Sequence, residues 1–165
     1  MKQSQILLAE FQHESASTRK LLERVPFDKP DYKPHEKSMS LVRLATHVAE
    51  IAGWWKECLV KDVLDFSVGD FSPKQINSTE DLLALHDSYV ASSVAILQEV
   101  SDDEFAKPWT MRNGETIYFT MPKAAVVRTW CLNHLYHHRG QLTVYLRLLD
   151  VPLPGMYGPT ADEQG

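Results

Sequence analysis

Apolar side chains recur at helical spacing in four stretches of this chain. The first, residues 4–25, places Leu7, Leu8, Phe11, Thr18, Leu21, Leu22 and Val25 on one side. Pro26, Pro30 and Pro34 then stop it and impose an extended linker, because proline lacks the amide proton that a helix interior needs. A second helix is expected from a cap at Ser38 or Ser40 to about Leu59. Its seam is Leu44, His47, Ile51, Trp54 (or Trp55) and Cys58, a run of three- and four-residue steps that stays on one face. Residues 62–75, with Gly69 and Pro73, read as an irregular loop.

The third helix opens at Ser78-Thr79-Glu80-Asp81, a cap followed by acids where the helix dipole favours them. It runs to about Val100 with Leu82, Tyr89, Ser93, Ile96 and Val100 inward. Asn113-Gly114 then separates two β-prone stretches, residues 109–112 and 115–119, which predicts a hairpin. The fourth helix is expected from Pro122, in the first turn, to about Leu149. Its inner face reads Val127, Cys131, His134, His138, Leu142 (or Gln141), Tyr145 and Leu149, and the Pro- and Gly-rich tail after it reads as coil. The pattern predicts an all-α protein: one four-helix bundle domain over residues 1–165, with a small β-hairpin excursion before the last helix.

Composition narrows the class. Apolar residues are 44% and charged residues 24% of the chain, which is globular rather than disordered. A net charge of -5 with scattered Lys and Arg argues against binding nucleic-acid phosphates. No stretch approaches the ~18 apolar residues of a membrane span. Nor does the N-terminus pair a basic region with an apolar signal core. The two cysteines, Cys58 and Cys131, lie inside apolar helical patterns as small core hydrophobes, so a reducing cytoplasm is the expected location.

The candidate chemistry lies in histidine. His134 and His138 are four apart on one helix face, the spacing by which a helix offers two nitrogens to one metal. Seven histidines placed at random would give such a pair about 0.25 times, so spacing alone is weak. Position adds to it, because both residues and His47 fall on apolar stripes, where an imidazole must have its nitrogens satisfied. A shared metal would satisfy all three. Hydrogen bonds to core hydroxyls or carbonyls would satisfy each separately, and both readings stand at this point.

Other templates fit worse. A zincin helix needs Glu where Leu135 stands, and at His47 the Glu-x-x-His of di-iron bundles appears only reversed, as His47-x-x-Glu50. Glu50 is expected at the surface, His137 beside the site, and His13 and His35 in solvent. His86 reads as a structural histidine and Cys131 as a packed hydrophobe rather than a thiolate ligand. Arg139 reads as half of a structural ion pair, with an anion-binding role as the alternative.

The sequence Leu44-Ala45-Thr46-His47-Val48 followed by Trp54-Trp55 resembles the second helix of the DinB/YfiT-like superfamily. His134-x-x-x-His138-Arg139-Gly140-Gln141-Leu142 followed by Val151-Pro152-Leu153-Pro154 resembles that family's last helix and tail. The resemblance covers nearly the whole chain in element order. It implies a bundle in which His47, His134 and His138 bind one divalent ion, Ni or Zn foremost, with Fe or Mn as further candidates, in a homodimer. It also implies a small-molecule substrate and a low-molecular-weight thiol as partner, and thus S-transferase chemistry on a small electrophile. A non-catalytic metal- or ligand-binding stress protein and a metal-dependent hydrolase are the alternatives, since fold membership does not carry a reaction with it.

Overall fold

The computed structural model describes residues 2–163. Helix α1, Gln3–Leu22, buries Leu7, Phe11, Thr18, Leu21 and Leu22 as the periodicity predicts. Its first turn is capped from elsewhere in the chain: Asp102 accepts from the Gln3 and Ser4 amides at 2.9 and 3.1 Å. The predicted second helix is two pieces, α2 (Leu41–Ile51), capped by Ser40, and α3 (Trp54–Leu59). The break falls at residues 52–53 for a packing reason. A side chain at Gly53 would put its Cβ 2.5 Å from the Tyr89 ring, and Ser93 takes up the Ala52 carbonyl at 2.6 Å. Helix α4, Thr79–Glu99, has the expected Ser78 cap and buries Leu97 where Ile96 was expected.

The hairpin is present and larger than expected. Strands β2 (Pro108–Asn113) and β3 (Thr116–Pro122) pair antiparallel, and Gly114 takes φ +59 at the turn, a conformation glycine adopts without steric cost. A bulge between Met111 and Arg112 shifts the register from Met111↔Phe119 to Arg112↔Ile117. Residues 62–75 are not wholly irregular: β1, Val63–Asp65, adds parallel to β2 and completes a three-stranded sheet in the order β1-β2-β3. Asp65 holds the junction, accepting from the amides of Ser67 and Gly114, each at 2.9 Å.

The last helical run starts after Pro122, with α5 (Lys123–Val126), a π-helical segment (Val127–Asn133) and α6 (His134–Leu148). A uniform α-helix was expected here. Within the π segment the Thr129 hydroxyl donates to the Ala125 carbonyl at 2.8 Å. Helix α1 packs on α4, and α2 packs on both α4 and α6. One core cluster centres on Phe11, Trp55, Leu97, Trp109 and Leu132, and a second on Leu21, Leu44, Ile51, Leu82 and Leu142. Trp54 packs against both, and the histidines lie beside it.

Candidate metal centre

His134 and His138 open α6 one turn apart, and α2 lays His47 against them. One donor nitrogen from each ring lies within 4.8 Å of the other two. The Nε2 atoms of His47 and His134 are 3.1 Å apart, and the ring of His138 centres 4.5 Å from His47 and 4.6 Å from His134. With metal–nitrogen bonds of about 2.0–2.1 Å, two nitrogens on one ion stand roughly 3–4 Å apart. The closest pair already meets that, and the third donor lies within 4.8 Å of both. A hydrogen bond between two neutral imidazoles would account for His47 and His134 but leaves the convergence of His138 unexplained.

Electrostatics keep these rings neutral. Burial, then the neighbouring His138, His134 and Arg43, lower the pKa of His47 to about 3. Burial, then His138 and His137, lower that of His134 to about 4. His138 is lowered too, chiefly by burial. Neutral imidazoles keep the lone pairs that a cation needs. Gln141 Oε1 lies 2.8 Å from His138 Nδ1, so accepting a proton there fixes the tautomer that leaves Nε2 free. Three neutral nitrogen donors on two packed helices are a donor set that suits one divalent ion, and imidazole does not distinguish among Zn, Ni, Cu and Fe.

His47 and His134 form part of the wall of a cavity of about 460 Å³. Trp54 sets its ring at 4.9 Å from His134 and 5.4 Å from His47, and Trp130 stacks on His134 at 5.5 Å with 25° between planes. Trp130, in the π segment, stands four residues before His134 and so on the same side of the helical run.

The other candidate residues sort cleanly. Glu50 is not a simple surface residue: it is half-buried in the cavity wall and accepts from Arg43 at 3.3 Å and the Lys74 amide at 3.1 Å. Its place one turn after His47 on α2 carries it inward. His137 is exposed and flanks His138 at 4.8 Å. Cys131 is buried with its sulfur 3.8 Å from that of Cys58, and both are free thiols outside the histidine group. His86 is buried beside Asp87, away from the group. His13 and His35 are exposed, as expected.

Arg139 turns away from the metal centre into the interior, where it meets Glu14, Thr18 and Tyr157. Its partner Glu14 lay on the buried face of α1 unnoticed, because a carboxylate is usually read as outward. Lys123 was likewise missed. It is fully buried, with its ammonium on the Leu59 carbonyl, Glu104 and Asp62. Only the partners of these two cations, distant in sequence, explain their burial.

A mostly helical chain with a small three-stranded sheet, and with imidazoles from two helices converging beside a cavity, defines a helical protein able to hold a metal ion. The chain belongs to the DinB family, whose sequence model matches residues 1–164. It is 24% identical to the uncharacterised protein YjoA of Bacillus subtilis strain 168, over 89% of this chain and 91% of that one. Its identity to the uncharacterised protein YrdA of the same strain is 26%, over 94% of this chain and 89% of that one. The crystal structure of YjoA, a DinB-like protein, superposes with a TM-score of 0.65, covering 90% of this chain and 96% of that one. A DinB-like protein of Bacillus cereus ATCC 10987 gives a TM-score of 0.69 at 21% identity, covering 91% and 95%. These structural likenesses establish a DinB-like fold. No described helix is long and apolar enough to cross a membrane.

Proposed function

We propose that this protein is a divalent-metal-dependent enzyme that joins a low-molecular-weight thiol to a small electrophile, with His47, His134 and His138 as the metal ligands. The observation that carries the reading is the convergence of three neutral imidazole nitrogens within 4.8 Å, two of the rings facing a cavity of about 460 Å³. In this reading α1, α2 with α3, α4 and the run from Lys123 to Leu148 act as a four-helix bundle that holds the three rings in place. Three protein ligands leave a coordination position for a reactant, which is the pattern of a catalytic rather than a structural site. A divalent ion there, Zn or Ni, supplies Lewis acidity that lowers the pKa of a thiol or of water near neutral pH.

The chain's own residues do the rest. Gln141 holds the His138 tautomer, Trp54 and Trp130 wall the imidazoles from bulk water, and the cavity orients the electrophile. A C–S bond forms, the bond from carbon to its leaving group breaks with the electron pair going to that group, and the thiol proton passes to solvent. Hydrolysis is a second reading, carried by Glu50, which lines the same cavity and is held in place by Arg43.

Metal analysis of untagged protein tests the first half: about one divalent ion per chain, lost in His138→Ala, supports it, and none at micromolar protein rejects it. Metal-loaded protein incubated with an electrophile panel and candidate thiols tests the second. Rates above background that need both thiol and metal support transfer. Turnover without thiol, abolished in Glu50→Gln, selects hydrolysis.

A further inference from the structure

The charged residues around the cavity cancel one another. Arg43 pairs with Glu50 at 3.3 Å, and Lys61 pairs with Glu57 at 2.6 Å. Asp70 accepts from the Ser72 amide at 2.8 Å and has Lys74 beside it as counter-charge. Two cations, Arg43 and Lys74, and three carboxylates, Glu50, Glu57 and Asp70, line the cavity, and Lys61 on Glu57 brings the group close to neutrality. What the wall offers instead is aromatic surface from Trp54, Tyr89, Trp109 and Trp130, contiguous with the imidazoles through Trp130 on His134.

The mouth carries a second, independent feature. Phe66 and Phe71, which also line the cavity, are 40% and 50% exposed, with ring centres 5.0 Å apart. They belong to the stretch between β1 and α4, and the Phe66 ring also stands 6.4 Å from that of Tyr118 on β3. Exposed aromatic rings at the rim of an apolar cavity mark a surface used for binding. Aromatic rings recognise other rings by offset or edge contacts, with a preference that a saturated ring of equal bulk does not share.

From the paired charges and the aromatic walls we infer that the cavity selects uncharged molecules bearing a flat aromatic ring. Trp54 and Trp130 contact that ring beside the histidines, and Phe66 and Phe71 cover it at the mouth. This names the electrophile class for the function proposed above and rests on that reading for its chemistry, although ring binding itself needs no metal.

The four tryptophans supply the test, because their indole N–H resonances report separately. Trp54 and Trp130 line the cavity, whereas Trp55 is buried in the core. Metal-free protein, kept in chelator, is titrated with acetylnaphthalene, acetylcyclohexane and naphthoate, and then again after zinc is added. The inference predicts saturable shifts of the Trp54 and Trp130 signals by acetylnaphthalene, with Trp55 unmoved. Acetylcyclohexane and naphthoate should each bind the metal-free protein at least about fivefold more weakly.

Trp54→Leu should weaken acetylnaphthalene binding about tenfold. Phe71→Ser, at a half-exposed position, should weaken it about threefold. In the metal-free protein, equal binding of the saturated ketone, tighter binding of the anion, or no saturable shift overturns the inference. Loss of zinc binding with ring binding intact would instead remove the metal reading and leave this one standing.

Discussion

Glu14→Ala removes the carboxylate that faces Arg139 in the interior. The guanidinium is 2% exposed and the carboxylate 8%, and the cation also donates to the Glu14 carbonyl at 3.1 Å and the Thr18 hydroxyl at 3.0 Å. Deleting one partner of a buried ion pair strands the other charge, at a cost of about 3–5 kcal/mol. The two remaining acceptors and the nearby Tyr157 hydroxyl, on a residue largely exposed, place the expected loss near the lower end, about 3 kcal/mol. With a urea m-value of about 2 kcal/mol per M, the unfolding midpoint should fall by roughly 1.5 M.

Replacing both partners by apolar residues, Glu14→Leu with Arg139→Met, removes the stranded charge and should return stability to within about 1 kcal/mol of the parent. Urea unfolding followed by far-ultraviolet circular dichroism reads all of these. A loss under about 1 kcal/mol in Glu14→Ala, or a double variant that loses the sum of the single changes, refutes the assignment. Metal content should be unchanged in both variants, because Arg139 points away from its sequence neighbour His138. A substrate-anion role for Arg139 would instead show as lost turnover in the stable double variant.

Further outcomes follow from other parts of the structure. Gly53→Ala should cost about 1–3 kcal/mol in the same unfolding assay, since its Cβ would lie 2.5 Å from the Tyr89 ring; a neutral result would mean that α3 and α4 are not in that contact. Hydrogen bonds from Ser67 and Gly114 hold the Asp65 carboxyl at a pKa of about 2, below its ordinary 3.8. Its contribution to sheet stability is therefore fully present above pH 3.8 and lost as pH falls through about 2. Carboxyl resonances titrated by NMR should place the Asp65 midpoint near 2, and a midpoint near 3.8 would contradict the junction described here. Burial, and then Cys58, push the Cys131 thiol well up, so iodoacetamide should leave Cys131 unmodified in native protein and alkylate it after unfolding; ready native alkylation would contradict its placement.

Much of the fold was legible because local signals agreed with the global pattern. Ser40 and Ser78 cap where expected, and Asn113-Gly114 turns the hairpin. The breaks were less legible because their causes are tertiary. Gly53 ends α2 against Tyr89, a residue 36 positions away, and β1 exists only because β2 is there to pair with. The π segment has no period of its own that a hydrophobic pattern could reveal over seven residues. The histidines could be read from their faces, since an imidazole on an apolar stripe needs a partner. Glu50 could not, because its inward placement depends on Arg43 and the Lys74 amide holding its carboxylate.

X-ray absorption at the metal edge of protein loaded with one equivalent of zinc tests the central assignment most directly. The account predicts three imidazole nitrogens at about 2.0–2.1 Å plus a light-atom ligand, falling to two imidazoles or to no bound zinc in His47→Ala. A sulfur shell at about 2.3 Å, which would require Cys58 or Cys131, would contradict it, as would fewer than three imidazoles in the unmodified chain.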